Sequence, residues 1–100
     1  MNLYVVLSNH GIHHDCMGIF RTQEMAELFL RSNEIHKGYI KSIEVIGEYT
    51  FSNDLFEANA YLSEWKVHTF IGLYADSADA EAVAGKSGTV IPRSVMQGGE

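Results

Sequence analysis

The sequence predicts an α+β fold: duplicated ββαβ units with pseudo-twofold symmetry, a mainly antiparallel sheet and two helices on one face. Residues 14–31 match residues 68–85 at an offset of 54 without gaps, and the match aligns Gly18 with Gly72. Both halves repeat the same order of β-branched apolar runs and helical periodicity. The 100 residues are 46% hydrophobic with one proline, which indicates a single folded domain.

The first unit covers about residues 2–47. Gly11 is suited to the tight loop between its first two strands, because glycine readily adopts left-handed backbone angles. Thr22 is predicted to cap the helix by accepting a hydrogen bond from an orphan backbone N–H. Met25 and Phe29 lie four residues apart and contribute to one apolar helix face. The strands are predicted at residues 2–8, 12–20 and 38–49.

A linker over residues 48–58, with one helical turn capped by Ser52, is predicted to lead to the second unit at about 59–96. Asp76 is the expected cap of its helix, which is rich in alanine and offers little apolar area for burial. The final residues, 97–100 (QGGE), are expected to fray. The strands are predicted at residues 59–63, 66–74 and 89–95.

The stretch NHGIHHDCMG (9–18) is unusual because it holds three histidines, an aspartate and the only cysteine of the chain. Pairing the first hairpin across its loop puts Val6 opposite His14, and the side chains then alternate between two faces. One predicted face carries Tyr4, Val6, Ile12, His14, Cys16 and Phe20. The other carries Leu3, Val5, Leu7, His13, Asp15, Met17 and Ile19.

This alternation argues against a metal site, and we expect no bound metal and no cofactor. His10 and His14 would be roughly 13 Å apart along the strand, whereas zinc holds its ligands at about 2 Å. His13 and His14 would point to opposite faces. His14 and Cys16 share a face, but two ligands do not make a site. Cys16 is expected to be a structural thiol, because no helix N-terminus lowers its pKa.

The predicted binding residues come from the second hairpin and its match to the first. His68 is expected to face Tyr61, as the equivalent of His14, and to share a face with Tyr74, the equivalent of Phe20. The face with Met17, Ile19, Ile71 and Leu73 is expected to pack on the helices. The other apolar face is then covered by the other repeat, by a partner chain or by a ligand.

If a partner chain covers that face, the protein is a homo-oligomer, and we expect a homodimer. Trp65 lies in the tight turn of the second hairpin, where it is either an exposed binding anchor or folded back on its own sheet. The predicted binding residues are Trp65, His14, His68, Phe20 and Tyr74.

Composition excludes several classes of partner. The formal charge is −6, and the seven basic residues are scattered, so no basic stripe favours nucleic acid. No apolar run is long enough to span a membrane, and no signal peptide is evident, so a cytoplasmic location and no membrane association are expected. The single cysteine is consistent with a reducing compartment.

No set of residues converges on a catalytic arrangement, so the chain is more readily interpreted as non-enzymatic. The first hypothesis is a small acidic protein-binding module, such as an adaptor, a regulator or a phage-type inhibitor, that binds another protein or itself. The alternative is a small-molecule-binding protein or enzyme whose site is lined by His14, His68, Cys16 and nearby tyrosines. A closed pocket over His14 and His68 would favour the alternative.

Overall fold

The computed structural model describes residues 1–50 and 54–95, which form six strands and two helices. The α+β class and the repeated ββαβ order are confirmed. The elements are β1 (Asn2–Asn9), β2 (His14–Phe20), α1 (Gln23–Ser32), β3 (Gly38–Glu44), β4 (Leu55–Leu62), β5 (Val67–Tyr74), α2 (Ser77–Ala84) and β6 (Thr89–Arg93).

Each repeat forms its own three-stranded antiparallel sheet with the first strand of the repeat in the centre. The strand orders are β2-β1-β3 and β5-β4-β6. A short parallel bridge joins the two repeats beyond the end of β3: Ile46 N–H donates to the Leu73 carbonyl at 3.0 Å, and Ala75 N–H donates to the Ile46 carbonyl at 2.9 Å. The connection after β3 therefore fastens the first sheet to the edge strand of the second.

The two sheets pack face to face, and each helix covers the outer face of its own sheet. The helices thus lie on two different sheets, and not on one face as predicted. The central core contains Leu3, Val5, Leu7 and Ile19 from the first sheet and Leu55 and Leu73 from the second. The outer clusters are Val6, Phe20 and Ala26 under α1, and Ala58, Ala80 and Ala84 under α2.

This arrangement answers the question of what covers the second apolar face: the other repeat does. Ile19 and Leu73 were expected to pack on the helices, but they lie in the central core between the sheets. The expectation of a homo-oligomer rested on a sheet face without a cover within the chain. That premise is wrong for this structure, so self-association remains a prediction without that support.

A β-bulge interrupts each hairpin at the same place. In the first, Val6 pairs with Gly18 and Leu7 pairs with Cys16, which leaves Met17 as the extra residue. In the second, the pairing skips Ile71 in the same way. Met17 and Ile71 are separated by the offset of 54 that relates the two repeats. The bulges therefore support the duplication independently of residue identity.

The predicted register of the first hairpin is wrong. Leu7, and not Tyr4, pairs with Cys16, while Tyr4 pairs with Phe20. His14 and Cys16 therefore share the inner face with Leu7, and Phe20 lies on the outer face beneath α1. The extra residue at the bulge reverses the alternation between Cys16 and Ile19, which strict period-two counting cannot anticipate.

The helix caps agree with the sequence. Thr22 Oγ1 accepts from Met25 N–H at 3.2 Å, and Asp76 Oδ1 accepts from Ala78 N–H at 2.7 Å. α1 packs through large side chains, with the rings of Phe20 and Phe29 5.1 Å apart. α2 packs through alanines, which allow it to lie close to β4.

Two boundaries differ from the prediction by four residues or more. β4 begins at Leu55, so the last four residues of the predicted linker are strand, and β3 ends at Glu44 instead of residue 49. The helical turn proposed at Ser52 and the frayed residues 97–100 lie outside the described residues. Among those described, no helix combines the length and apolar character needed to cross a bilayer.

Candidate functional site

A buried polar cluster interrupts the central core between the two sheets. It consists of Glu57, Asn59, Arg93 and Cys16. Arg93 Nε lies 3.0 Å from Glu57 Oε1, and Asn59 Nδ2 donates to Glu57 Oε2 at 2.8 Å. A terminal nitrogen of Arg93 donates to the Cys16 carbonyl at 2.9 Å and contacts its sulfur at 3.4 Å. Arg93 thus ties β6 to β2 across the two sheets.

The bulges align the strands of the two repeats and show that this cluster is confined to one half of the pseudo-symmetric core. Leu7 and Asn59 are equivalent, because each follows the bulge position of its central strand. Leu7 pairs with Cys16, and Asn59 pairs with Phe70. The positions equivalent to the polar cluster in the other half are occupied by apolar residues: Val5, Leu7, Ile43 and Phe70.

The Cys16 thiol is unsuited to nucleophilic catalysis. Burial is the main cause that raises its pKa to about 11; the Arg93 side chain lowers the pKa and partly opposes this rise, and the neighbouring Glu57 carboxylate adds to it. The thiolate is the reactive species, and it is scarce at neutral pH when the pKa is this high. The predicted structural role of this cysteine agrees with its position between the sheets.

The structure places His14 and His68 on the inner sides of their sheets, the same side in both repeats, but gives them different partners. His14 Nδ1 lies 2.7 Å from the Tyr39 hydroxyl, and its backbone N–H donates to Thr69 Oγ1 at 3.0 Å. His68 Nε2 donates to the Ser87 carbonyl at 3.1 Å, and its ring packs on Tyr61, which it faces as predicted.

Phe20 and Tyr74 lie on the outer sides of their sheets, not with the histidines. Phe20 is 1% exposed beneath α1, and Tyr74 packs against the alanine cluster beneath α2. Neither side chain is placed with His14 or His68. The five predicted binding residues are therefore divided among three parts of the fold: the outer faces, the inner faces and the hairpin turn.

Trp65 lies at the β4–β5 turn and is 54% exposed, so it is not folded back on its own sheet. The turn is held by two hydrogen bonds to the Leu62 carbonyl, from Trp65 N–H at 3.1 Å and from Lys66 N–H at 2.8 Å. Beside it is an open cleft of about 400 Å³, which we call the Trp65 cleft. Its lining residues are Ile12, Tyr61, Leu62, Ser63, Glu64 and Trp65.

The β1–β2 loop brings together a second group that the sequence analysis missed. Asp15 Oδ2 lies 3.5 Å from His10 Nε2 and 3.7 Å from His13 Nε2. The His10 ring also stacks on His13 and on His36, with ring centroids 4.8 and 5.1 Å apart. We call these four residues the histidine cluster. Strand periodicity separates His10 from His14, but it does not indicate that the closed loop brings His10 back to His13.

The fold is that of an α+β protein made of two ββαβ repeats, and the Trp65 cleft and the histidine cluster lie at its two hairpin connections. No protein-family model matches the chain, and neither a curated protein sequence nor a solved structure matches it. Function is therefore inferred from the geometry of the described residues.

Proposed function

We propose that this chain is a small acidic protein-binding module of the cytoplasm, without enzymatic activity, that binds its partner at the Trp65 cleft. The observation that carries the proposal is the exposed aromatic anchor, Trp65, on a hydrogen-bonded turn beside an open cleft lined by both apolar and polar residues. Adaptors, regulators and phage-type inhibitors are the kinds of protein that this description fits.

The cleft has the composition of a binding surface. Trp65 is 54% exposed, Ile12 is 47% exposed and Tyr61 is 36% exposed. Tryptophan and tyrosine are enriched among the residues that dominate binding energy at protein interfaces. The apolar centres of the sheet faces are less available to a partner, because helices or the other sheet cover them within the chain.

The anchor is also held in place before binding. The bonds to the Leu62 carbonyl fix the turn, and the Tyr61 ring packs on His68 with centroids 5.0 Å apart. Lys66 has the left-handed backbone angle (φ 56°) that closes the turn. Less conformational freedom is then lost when a partner binds, and this favours affinity.

Charge indicates the kind of partner. The chain has a formal charge of −6, and Glu64 lines the cleft. A partner segment with an apolar side chain flanked by lysine or arginine would fill the cleft and meet an attractive field. A second copy carries the same negative charge, which opposes self-association at this surface.

The alternative, a small-molecule or enzyme site lined by His14, His68 and Cys16, has less support. These side chains have separate hydrogen-bond partners, and burial keeps the thiol protonated. Two open clefts among the described residues, the Trp65 cleft and one lined by Met17, Pro92 and Arg93, do not include these side chains.

Selection from a random peptide library tests the proposal, because it does not require the natural partner to be known. We expect selected peptides to combine an apolar residue with basic neighbours. Trp65 is the only tryptophan of the chain, so its fluorescence reports directly on occupation of the cleft. Binding should shift the emission to shorter wavelength as the indole leaves water.

Trp65→Ser should weaken binding of these peptides about 30-fold, the loss expected for an interface residue contributing about 2 kcal/mol. Leu28→Ser is the matched control, because Leu28 is similarly exposed on α1, away from the turn. Peptides that bind Trp65→Ser as tightly as the wild type would contradict the proposal, as would a library without enriched binders.

Sedimentation equilibrium at micromolar concentration tests the predicted homo-oligomer separately. A monomer would leave the cleft available to a different protein. A dimer that Trp65→Ser dissociates, and Leu28→Ser does not, would identify a second copy of the chain as the occupant.

A further inference from the structure

We propose that His10, His13 and Asp15 form a binding site for zinc or a similar divalent transition-metal ion. One ligand atom from each of the three side chains lies within 4.8 Å of the other two. Two imidazoles and one carboxylate form a donor set typical of such ions. The proposal is independent of protein binding at the Trp65 cleft.

The spacing of the donors fits a single ion. Zinc binds nitrogen and oxygen ligands at about 2.0–2.1 Å in a tetrahedron, so neighbouring ligand atoms are about 3.3 Å apart. The Asp15 Oδ2 atom is 3.5 Å from His10 Nε2 and 3.7 Å from His13 Nε2. The three donor atoms lie within 4.8 Å of one another, so the two partly buried imidazole rings would have to move together to close the site around an ion.

The loop backbone holds the two histidines in this arrangement. His10 N–H donates to the His13 carbonyl at 3.0 Å, and Ile12 N–H donates to the His10 carbonyl at 3.1 Å. Gly11 takes a left-handed angle (φ 82°), and its N–H donates to the Asn9 side chain at 2.8 Å. The loop is thus closed without a metal, so fewer residues need to become ordered when the ion binds.

The Ser8 hydroxyl positions the His10 ring before an ion binds. The Ser8 hydroxyl donates to the His36 carbonyl at 2.9 Å and lies 3.0 Å from His10 Nε2. Since its one proton is used on the carbonyl, this hydroxyl accepts from the N–H of His10. An ion that binds at Nε2 needs the lone pair of that nitrogen, so the ring proton must be on Nδ1 and the contact with Ser8 is replaced by the ion.

The donor set also indicates which ions would bind and what they could do. Imidazole nitrogens favour Zn²⁺, Cu²⁺ and Ni²⁺ over Mg²⁺ and Ca²⁺, which prefer a shell of oxygens. Three protein ligands leave the fourth tetrahedral position to water or to a donor from another molecule. His36 is the third imidazole of the histidine cluster, and its ring stacks on that of His10.

Titration of tag-free protein with Zn²⁺ against a competing chelator tests the site. We expect one equivalent to bind, and His10→Gln and His13→Gln each to weaken binding by at least about tenfold. His14→Gln is the matched control, because it removes the neighbouring imidazole, which lies beside Tyr39. It should leave zinc affinity unchanged. Circular dichroism of each variant verifies that the fold is retained.

Co²⁺ in place of Zn²⁺ reports the ligand type. A spectrum of nitrogen and oxygen ligation, without the thiolate charge-transfer band, is expected for wild type and for Cys16→Ser. Absence of zinc binding, or binding retained at full affinity in both His10→Gln and His13→Gln, would overturn the proposal. An equal loss in His14→Gln or a thiolate band would do so as well.

Discussion

Arg93 Nε lies 3.0 Å from Glu57 Oε1 in the polar half of the core. The equivalent positions in the other repeat are occupied by Val5 and Ile43. The Glu57 side chain is 5% exposed and the Arg93 side chain 30%. Glu57 Oε1 is buried and has this ion pair but no well-aligned hydrogen bond. Loss of Arg93 leaves the buried Glu57 carboxylate unpaired, and loss of Glu57 leaves the half-buried Arg93 guanidinium without its carboxylate, so the two residues are expected to act as a unit.

The first prediction follows from this coupling. Glu57→Val alone should lower the free energy of unfolding by about 3 kcal/mol, because it leaves the guanidinium of Arg93 without its carboxylate. Glu57→Val combined with Arg93→Ile reproduces the apolar residues of the other repeat and should recover most of the loss. Urea unfolding of the single and double variants measures both effects. A double variant as unstable as the single one would show that the pair does not act as a unit.

The second prediction concerns alkaline pH. The folded pKa of Cys16 is raised from 9.0 to about 11, so the folded state favours the protonated thiol. Its contribution to stability is fully present below pH 9 and is lost as the pH rises through about 11. The loss amounts to about 2 kcal/mol.

Denaturant unfolding at pH values between 9 and 11 measures this loss of stability, with Cys16→Ser as the comparison. The variant should lose less stability over the same range, because it has no thiol to ionise. Parallel profiles for the two proteins would count against a buried protonated thiol.

The third prediction concerns Phe20, which is 1% exposed and packs on Phe29. Phe20→Ala should destabilise the fold by about 3–5 kcal/mol, as expected for an aromatic removed from a core. Phe20→Glu should yield unfolded protein and not a soluble monomer. Met17→Ala is the control, because Met17 is the exposed bulge residue of the same strand and its loss should cost less than about 1 kcal/mol. Thermal unfolding monitored by circular dichroism distinguishes these outcomes.

The fourth prediction concerns the first helix cap. Thr22→Ala should lower stability by about 1 kcal/mol, because it removes the hydroxyl that accepts from Met25 N–H. Thr22→Ser keeps a hydroxyl at this position and should retain most of the stability. Chemical denaturation of the two variants provides the comparison. Equal losses in both would mean that the threonine methyl group matters more than the cap.

The sequence was sufficient for the class, the repeat and the helix caps, because these depend on local composition and on the offset of 54 between the halves. It was insufficient for the strand faces. Met17 and Ile71 each add one residue to a strand, and side chains beyond that point change sides. Gly18 and Gly72, next to these residues, were the available signal, since glycine within a strand often marks a bulge.

The candidate sites were predicted unevenly for a related reason. Trp65 was identified from its place in a tight turn, which is a local feature. The histidine cluster depends on the closure of the β1–β2 loop and on His36, which reaches the loop from beyond α1. The pairing of Glu57 with Arg93 depends on how two sheets meet, which period-two patterns do not specify.

The confinement of strand pairing to each repeat bears on how the chain acquires its fold. Every pairing of β1 is with β2 or β3, and every pairing of β4 is with β5 or β6. During synthesis the first sheet and α1 can form once residue 44 has emerged, before β4 exists, because domains and their parts fold as the chain is made. The β1–β2 and β4–β5 hairpins are local, whereas the β1–β3 and β4–β6 pairings each enclose a strand and a helix. The face that later meets the second sheet is then exposed only while residues 55–93 are being made.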